Sequence, residues 1–483
     1  MGSRIPRPRR IYTNRTLNLR NVKAVGFDMD YTLIHYDMEE WERLAYGYAL
    51  RSLADEGWEV EGLEFDPSMA TRGLVLDIEL GNLLKANRFG FIKQACHGTT
   101  PLEYDEIRQT YARSMVDLAE PRWVFLNTLF SISEANLYLQ LVDKADARGL
   151  PEDISDFGAL YRKVRATLDA AHLEGSLKRD ILADPERYVT LDEECVLTLR
   201  DFRAAGKKVL LITNSEWTYT RGIMTYAFDR FLPAGQTWRD LFDVVIVDAR
   251  KPSFFTQRNP LYEVATEEGL LRPVPPRVEP GKYYSGGDAR VVEEWLGVNG
   301  EEVLYVGDHI FSDVHVSKNL QRWRTALVLR ELEEEVVAIE EHDASRSRLR
   351  ELMTAKEALE EEESQLRVQR LRLEQGYGPE PDLDRAELER RLSEVRSEME
   401  AVDVDIRPLA EEAARQSHPR WGPLLRTGND KSHLARQVER YADVYTSRVA
   451  NFGRHGPYAY LRSARGSLPH DPNTGGPNEA TSA

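Results

Sequence analysis

Four short apolar runs, each closing on polar residues, constrain this chain more than any other feature of its sequence. They are "VKAVGFD" from Val22, "KKVLLITNS" from Lys207, "FDVVIVDARK" from Phe242 and "EEVLYVGDH" from Glu301. Near-continuous Val, Ile and Leu content reads as a strand covered on both faces, the pattern of parallel sheets. Ahead of the second run, "LDEECVLTLRDFRAAG" is helical in period and closes on Gly206 as a C-cap. Strand alternating with helix predicts an α/β fold with a doubly wound parallel sheet. Ligands of such sheets bind at the carboxyl ends of the strands, and every polar cluster falls there.

The rest of the chain divides around that sheet. About 150 residues, from Met38 to Tyr188, lie between the first run and the helix that precedes the second, too many for a simple crossover. The expected catalytic core is therefore residues 10–37 and 189–330, interrupted by an inserted cap domain at 38–188. That insertion combines helical patterns such as "EEWERLAYGYALRSLADEG" with the strand-like "TRGLVLDIELGNLLKANRFGFI". Beyond Leu329 the composition turns to Glu, Arg and Leu. Leu352, Leu359, Leu366 and Leu373 recur every seventh position. After the breaker "GYGPEPD", the positions Leu388, Leu392, Val395, Met399, Val402, Ile406 and Leu409 alternate spacings of four and three. Two such seams predict an antiparallel helical hairpin over 331–416, serving structure or oligomer formation. A C-terminal helical segment at 417–465 is expected to pack on the core, and 466–483 to be disordered.

Charge and composition remove several functions. With 41% hydrophobic and 30% charged residues the chain is of the soluble globular class. A formal charge of -17 excludes sequence-independent nucleic-acid binding, which needs a basic footprint. No apolar run is long enough for a membrane span. The basic N-terminus lacks the apolar core of a signal peptide, and Pro6 breaks the myristoylation pattern. The two cysteines, Cys96 and Cys195, cannot make a disulfide framework, so the cytoplasm is the expected location.

At the strand ends the residue types converge on one chemistry. Asp28 and Asp30 close the first run, and Asp308 and Asp313 follow the fourth. Carboxylates meeting at one edge repel unless a cation joins them, and hard oxygen donors suit Mg²⁺. Thr213, Asn214 and Ser215 supply donors and Lys251 a positive charge, the equipment for holding a phosphoryl group. Of the paired aspartates, Asp28 at the strand end is fixed for in-line attack on phosphorus. Asp30, on the loop, can protonate the leaving oxygen and then deprotonate water. Taken alone, the pair could equally be a turn; the three partner motifs in order argue otherwise.

"FDMDYT", "LITNS", "DARKP" and "VGDHIFSD" resemble, in order, the four motifs of the haloacid dehalogenase superfamily. Together with "RGLVLDIELGNLLK", "HLEGSLK", "TNSEWTYT", "VDARKPSFF", "YYSGG" and "QVERYADVY", they look like the cytosolic purine 5'-nucleotidases that prefer IMP and GMP. The resemblance runs from about Arg10 to His470. It implies a haloacid dehalogenase-like core with Asp28 as nucleophile and Asp30 as acid/base. Mg²⁺ is then held by Asp28, the main-chain carbonyl of Asp30 and Asp308, with Asp313 supporting it through water. Thr213, Asn214 and Lys251 match phosphate-holding positions. Arg165, Asp169, His172 and Lys178 match positions that hold the nucleotide, and the first three share one helix face. Leu173 stands where the family pattern has tyrosine. Arg72, Asn82, Lys318, Gln437, Arg440 and Tyr441 fall at contacts for a separate nucleotide effector, where Asn319 replaces a basic residue.

The expectation is a Mg²⁺-dependent 5'-nucleotidase for purine nucleoside monophosphates that can also pass phosphate to a nucleoside. The resemblance also implies a homo-oligomer, dimer or tetramer. Two alternatives stand beside it: a phosphatase for another phosphomonoester, and a scaffold acting through its helical hairpin.

Overall fold

The computed structural model describes residues 5–173, 175–379 and 383–464. At its centre is a ten-stranded sheet, and the four apolar runs are four adjacent strands of it. In spatial order these are Val303–Gly307, Ala24–Phe27, Lys208–Ile212 and Val244–Val247. All pair in parallel. Arg324–Val328 and Val444–Thr446 continue the parallel order on one side, and Tyr283–Gly286 on the other. Antiparallel strands close both edges: Tyr12–Thr13 beyond Val444–Thr446, and Leu261–Val264 with Leu271–Pro273 beyond Tyr283–Gly286.

Continuous apolar sequence follows from two covered faces. Val25, Phe27, Val209, Leu211, Val245, Val247, Leu304 and Val306 enter one core cluster. Their alternates Ala24, Leu210, Ile212, Val244, Ile246, Val303 and Tyr305 enter another on the opposite face. The helix before the second run spans Glu193–Ala204. It ends as the sequence suggests: Gly206 takes a left-handed φ of +79° and its N–H donates to the Arg203 carbonyl at 2.9 Å.

A two-stranded antiparallel ribbon, His35–Tyr36 against Val189–Thr190, joins the segment between these strands to the sheet. That segment holds long helices, among them Met38–Asp55, Ile132–Arg148 and Phe157–Leu173. It also holds a five-stranded antiparallel sheet, in which the strand-like stretch supplies Val75–Asp77 and Asn82–Ala86. The hairpin consists of Asp343–Gln375 and Arg385–Arg415, packed on Leu366, Leu388, Leu392 and Val395. Ion pairs Lys356–Asp403 and Arg391–Glu362, both at 2.6 Å, cross it in the antiparallel sense. Leu373, counted in the seam, is instead exposed near the turn.

Residues 417–464 are less helical than expected. Beside the His433–Tyr441 helix they supply the main-sheet strand Val444–Thr446, an Arg426–Thr427/Asp430–Lys431 hairpin and a strand paired with Leu17–Asn18. Strands of two or three residues carry too little periodicity to be read from sequence. The tail at 466–483 lies outside the described residues. No described helix is long and apolar enough to cross a membrane.

Candidate active site

The parallel ladder runs one residue past each central strand and thereby sets the rim. The Asp28 N–H donates to the Val306 carbonyl and the Thr213 N–H to that of Ile246, both at 2.9 Å. Asp28, Thr213 and Asp308 thus leave neighbouring strands at the same edge. The 310–315 segment forms one wide turn of π-helix that returns Asp313 to the rim. Gly307 makes that return possible: a Cβ there would lie 2.5 Å from an Asp313 carboxylate oxygen. Gly26 makes room in the same way for the Tyr305 ring, 2.9 Å from where its Cβ would be.

Lys251 ties the group together. Its Nζ lies 2.7 Å from Asp28 Oδ1 and 2.8 Å from Asp313 Oδ1, and donates to the Tyr305 hydroxyl at 3.1 Å. That hydroxyl donates onward to the Ile212 carbonyl at 3.0 Å. Burial alone would depress the ammonium, but Asp28 and Asp313 beside it hold it protonated, well above the usual lysine range.

Asp28, Asp308 and Asp313 are all buried, and each offers a carboxylate oxygen within 4.8 Å of the others. Burial pushes Asp28 up to about 6, against the pull of Lys251 and with a further push from Asp313. Burial also raises Asp308 well above the carboxylate range, with Arg72 opposing and Asp28 adding. Three buried carboxylates facing one ammonium are short of positive charge. A hard divalent cation fits that deficit and that donor set.

Asp30 is held apart from this cluster. Its two oxygens accept from the Tyr36 hydroxyl at 2.6 Å and the Ser215 hydroxyl at 2.7 Å. The metal role inferred for Asp30 concerns its main-chain carbonyl, and its side chain indeed takes no part in the acidic triad. Burial raises its carboxyl, with the Lys178 ammonium opposing. Lys178 donates to Ser215 Oγ at 3.3 Å and pairs with Glu216 at 2.6 Å, so it belongs to the same group.

The remaining phosphate-motif residues order the rim. Thr213 Oγ1 accepts from the Ser215 N–H at 3.0 Å. Asn214 brackets the main chain of Lys251, accepting from its N–H at 2.6 Å and donating to its carbonyl at 3.1 Å. Arg165 and Asp169 form a separate, largely exposed pair at 3.8 Å on the Phe157–Leu173 helix, and Arg165 donates to the Tyr161 hydroxyl at 3.1 Å. The side chains of His172 and Leu173 lie outside the described ones.

Arg72 departs from the effector role implied for it. It is 1% exposed, donates to the carbonyls of Asp308 and Val328 at 3.2 Å, and pairs with Glu331 at 3.0 Å. Its Nη1 bridges the two strand-end carbonyls and its Nε faces Glu331 as an ion pair, while Nη2 makes no hydrogen bond among the described residues. Asn82 bonds Tyr111 at 2.6 Å and His97 at 2.7 Å, Lys318 pairs with Asp443, and Gln437 bonds His433 at 3.0 Å. Arg440 lies over the Tyr441 ring, which faces His315. Among the described side-chain contacts, these six meet one another only where Arg440 lies over Tyr441.

Several residues at the rim escaped the sequence reading. Tyr305 stands in the fourth apolar run and Tyr36 a few residues beyond the first, yet a tyrosine on or beside an apolar strand reads as packing. Thr128, which donates to Asp308 Oδ2 at 3.3 Å, comes from the inserted segment and carries no local signal.

A parallel sheet with buried carboxylates and a lysine at its carboxyl rim has the charges and donors to hold and transfer a phosphoryl group, the equipment of a phosphoric monoester hydrolase. A sequence model of the 5' nucleotidase family matches residues 11–473, and the chain belongs to that family, the cytosolic 5'-nucleotidases. A 5'-nucleotidase domain-containing protein of Dictyostelium discoideum is 26% identical over 478 residues, covering 96% of this chain and 75% of that protein. Among solved structures, an archaeal beta-phosphoglucomutase from Pyrococcus matches with a TM-score of 0.27 at 12% identity, covering 64% of this chain and 86% of that one. A predicted phosphoglycolate phosphatase from Haemophilus somnus has a TM-score of 0.26 at 13% identity, covering 64% and 85%.

Proposed function

We propose that this protein is a Mg²⁺-dependent 5'-nucleotidase that hydrolyses purine nucleoside 5'-monophosphates, IMP and GMP first, through an aspartyl-phosphate on Asp28. The observation that carries this reading is the division of labour at the rim. Asp28 is gripped by Lys251 within the acidic triad, while Asp30 is gripped by two hydroxyls outside it.

An Asp28 carboxylate oxygen attacks phosphorus as the bond to the nucleoside 5'-oxygen breaks, and Asp30 delivers a proton to that oxygen. Asp30 then takes a proton from water, whose oxygen attacks phosphorus and releases Asp28 and inorganic phosphate. Asp28, the main-chain carbonyl of Asp30 and Asp308 would hold Mg²⁺, with Asp313 supporting it through water, and the ion would neutralise charge on the transferring group. Lys251 and the 213–215 donors hold the phosphoryl oxygens. The family resemblance assigns base recognition to Arg165, Asp169 and His172, and nucleotide binding beside Asp30 to Lys178. A nucleoside hydroxyl held where water sits takes the phosphate instead, through proximity.

The two free, buried cysteines fit a reducing cytoplasm, and we place the protein there as a dimer or tetramer. Asp28→Asn tests the reading: phosphate release from IMP with Mg²⁺ should vanish while the fold and IMP binding persist. Retained turnover would refute the nucleophile. Best activity on sugar phosphates across a panel of phosphomonoesters would move the assignment to another phosphatase, and no Mg²⁺-dependent release from any would favour the scaffold.

A further inference from the structure

Lys251 grips two of the three carboxylates in the acidic triad. Its Nζ pairs with Asp28 and Asp313, and among the described residues no cation pairs with the Asp308 carboxylate. That carboxylate is buried, and the hydrogen bond it accepts comes from the Thr128 hydroxyl, on Oδ2 at 3.3 Å. A neutral donor holds an anion about half as strongly as a charged one. Thr128 is thus the contact that sets which way the Asp308 carboxylate turns.

The inserted segment aims this contact through its sheet. The strands Val75–Asp77 and Trp123–Phe125 pair antiparallel, with Val75 opposite Phe125. Beyond that pair the ladder continues: the Leu126 N–H donates to the Leu74 carbonyl at 2.9 Å, and the Gly73 N–H to that of Leu126 at 2.6 Å. The same register brings Arg72 and Thr128 to the ends of the two strands. Both then reach one residue of the core. Arg72 Nη1 donates to the main-chain carbonyl of Asp308 at 3.2 Å, and Thr128 to its carboxylate. A φ of +90° at Gly73, where a Cβ would lie 2.8 Å from the Leu434 side chain, lets the strand end approach the core this closely.

Helix capping alone does not account for this geometry. Thr128 precedes the short helical turn Leu129–Ser131, and its Oγ1 accepts from the Phe130 N–H at 3.5 Å. That use takes a lone pair and leaves the hydroxyl proton to spare. A carboxylate that coordinates a cation can only accept, so the proton goes to Asp308. With a donor on one side and an acceptor on the other, the hydroxyl has one orientation.

We infer that Thr128 is a positioning residue for the divalent cation, turning the Asp308 carboxylate toward it from the inserted segment. Arg72 fixes where Asp308 leaves its strand and Thr128 fixes its rotation. The inserted segment thereby raises metal affinity without supplying a ligand. Hydrogen bonds that orient a metal ligand are worth about 10- to 100-fold in affinity. This inference rests on the Mg²⁺-dependent reading given above.

Titration of the metal-stripped full chain with Mn²⁺, the free ion counted by electron paramagnetic resonance, tests it without substrate. Thr128→Val keeps the side chain's volume and removes the hydroxyl, so it should weaken Mn²⁺ binding by about tenfold or more. Thr128→Ser restores the hydroxyl and should bring the affinity back to within about twofold of the wild type. With IMP present, the Mg²⁺ concentration for half-maximal phosphate release should rise in Thr128→Val by a larger factor than kcat at saturating Mg²⁺ falls. Loss of a cap alone would lower the unfolding temperature of the metal-free protein and leave Mn²⁺ affinity unmoved; that result would overturn the inference. So would a loss of affinity that Thr128→Ser fails to restore. Thr128→Ala repeats the test if the valine variant does not fold, and failure of both to fold would overturn the inference in favour of a purely structural residue. Wild-type protein that takes up neither Mn²⁺ nor Mg²⁺ would overturn the metal-dependent function as well, whereas tight binding by wild type and Thr128→Val alike overturns the role of Thr128 alone.

Discussion

Asp28 and Asp30 are two residues apart and chemically identical, yet their surroundings give them different work. Lys251 and the acidic triad hold one; Tyr36 and Ser215 hold the other. Tyr36 also meets Tyr219 at 3.0 Å, so its hydroxyl sits in a fixed chain. If Tyr36 orients Asp30 toward the leaving oxygen, Tyr36→Phe should lower kcat on nucleoside monophosphates by about tenfold or more. The first-turnover burst of nitrophenolate from para-nitrophenyl phosphate, whose leaving group needs no proton, should barely change, because only the later attack of water calls on Asp30; an equal loss in that burst would mean general damage. A second prediction concerns Glu42, buried with its carboxylate accepting from the Ser133 N–H at 2.7 Å. Burial pushes its carboxyl up to about 8. The folded state therefore keeps a proton that the unfolded chain gives up near pH 4.5. The stability this contributes is present below that pH and lost as pH rises toward 8. Thermal unfolding of Glu42→Gln should show a flatter profile across that interval than the wild type.

At the scale of elements, the rim depends on a strand end and a turn that leave no slack. Gly307 has the Asp313 carboxylate against the place a side chain would occupy. Gly307→Ala should therefore push Asp313 off Lys251 and cost on the order of a hundredfold in kcat, since a displacement of about 1 Å suffices for that. The protein should still fold, which circular dichroism checks. Gly26→Ala meets a ring edge rather than a carboxylate, so its first effect should be on stability through Tyr305. The ribbon of His35–Tyr36 and Val189–Thr190 is a further dependence, because it carries both the inserted segment and the hydroxyl on Asp30.

Across the whole molecule, the hairpin stands on a small core of its own, separate from those around the sheet. Leu392→Ala should then loosen the hairpin by roughly 2 kcal/mol, the low end for a buried leucine in a small cluster. Hydrogen exchange should speed up in 343–415 while kcat on IMP holds. A matching loss of activity would show that the hairpin and the catalytic rim form one cooperative unit. Metal removal should act at the acidic rim. Chelation should lower the unfolding temperature of the wild type by freeing three buried carboxylates to repel, and Lys251→Met should deepen that loss.

The sequence by itself determined the sheet, because a strand buried on both faces must be apolar throughout, and the four central strands are. It also determined the acidic rim, since polar residues can follow such strands only where the sheet ends. Heptad spacing made the hairpin legible for the same reason of periodicity. What surrounds each carboxylate was decided only by the tertiary structure. Thr128 and Arg72 reach Asp308 across 180 and 236 residues, and Tyr219 reaches Tyr36 across 183. Contacts at such separation leave no local pattern, because nothing in a side chain's neighbours along the chain records which buried group it will satisfy.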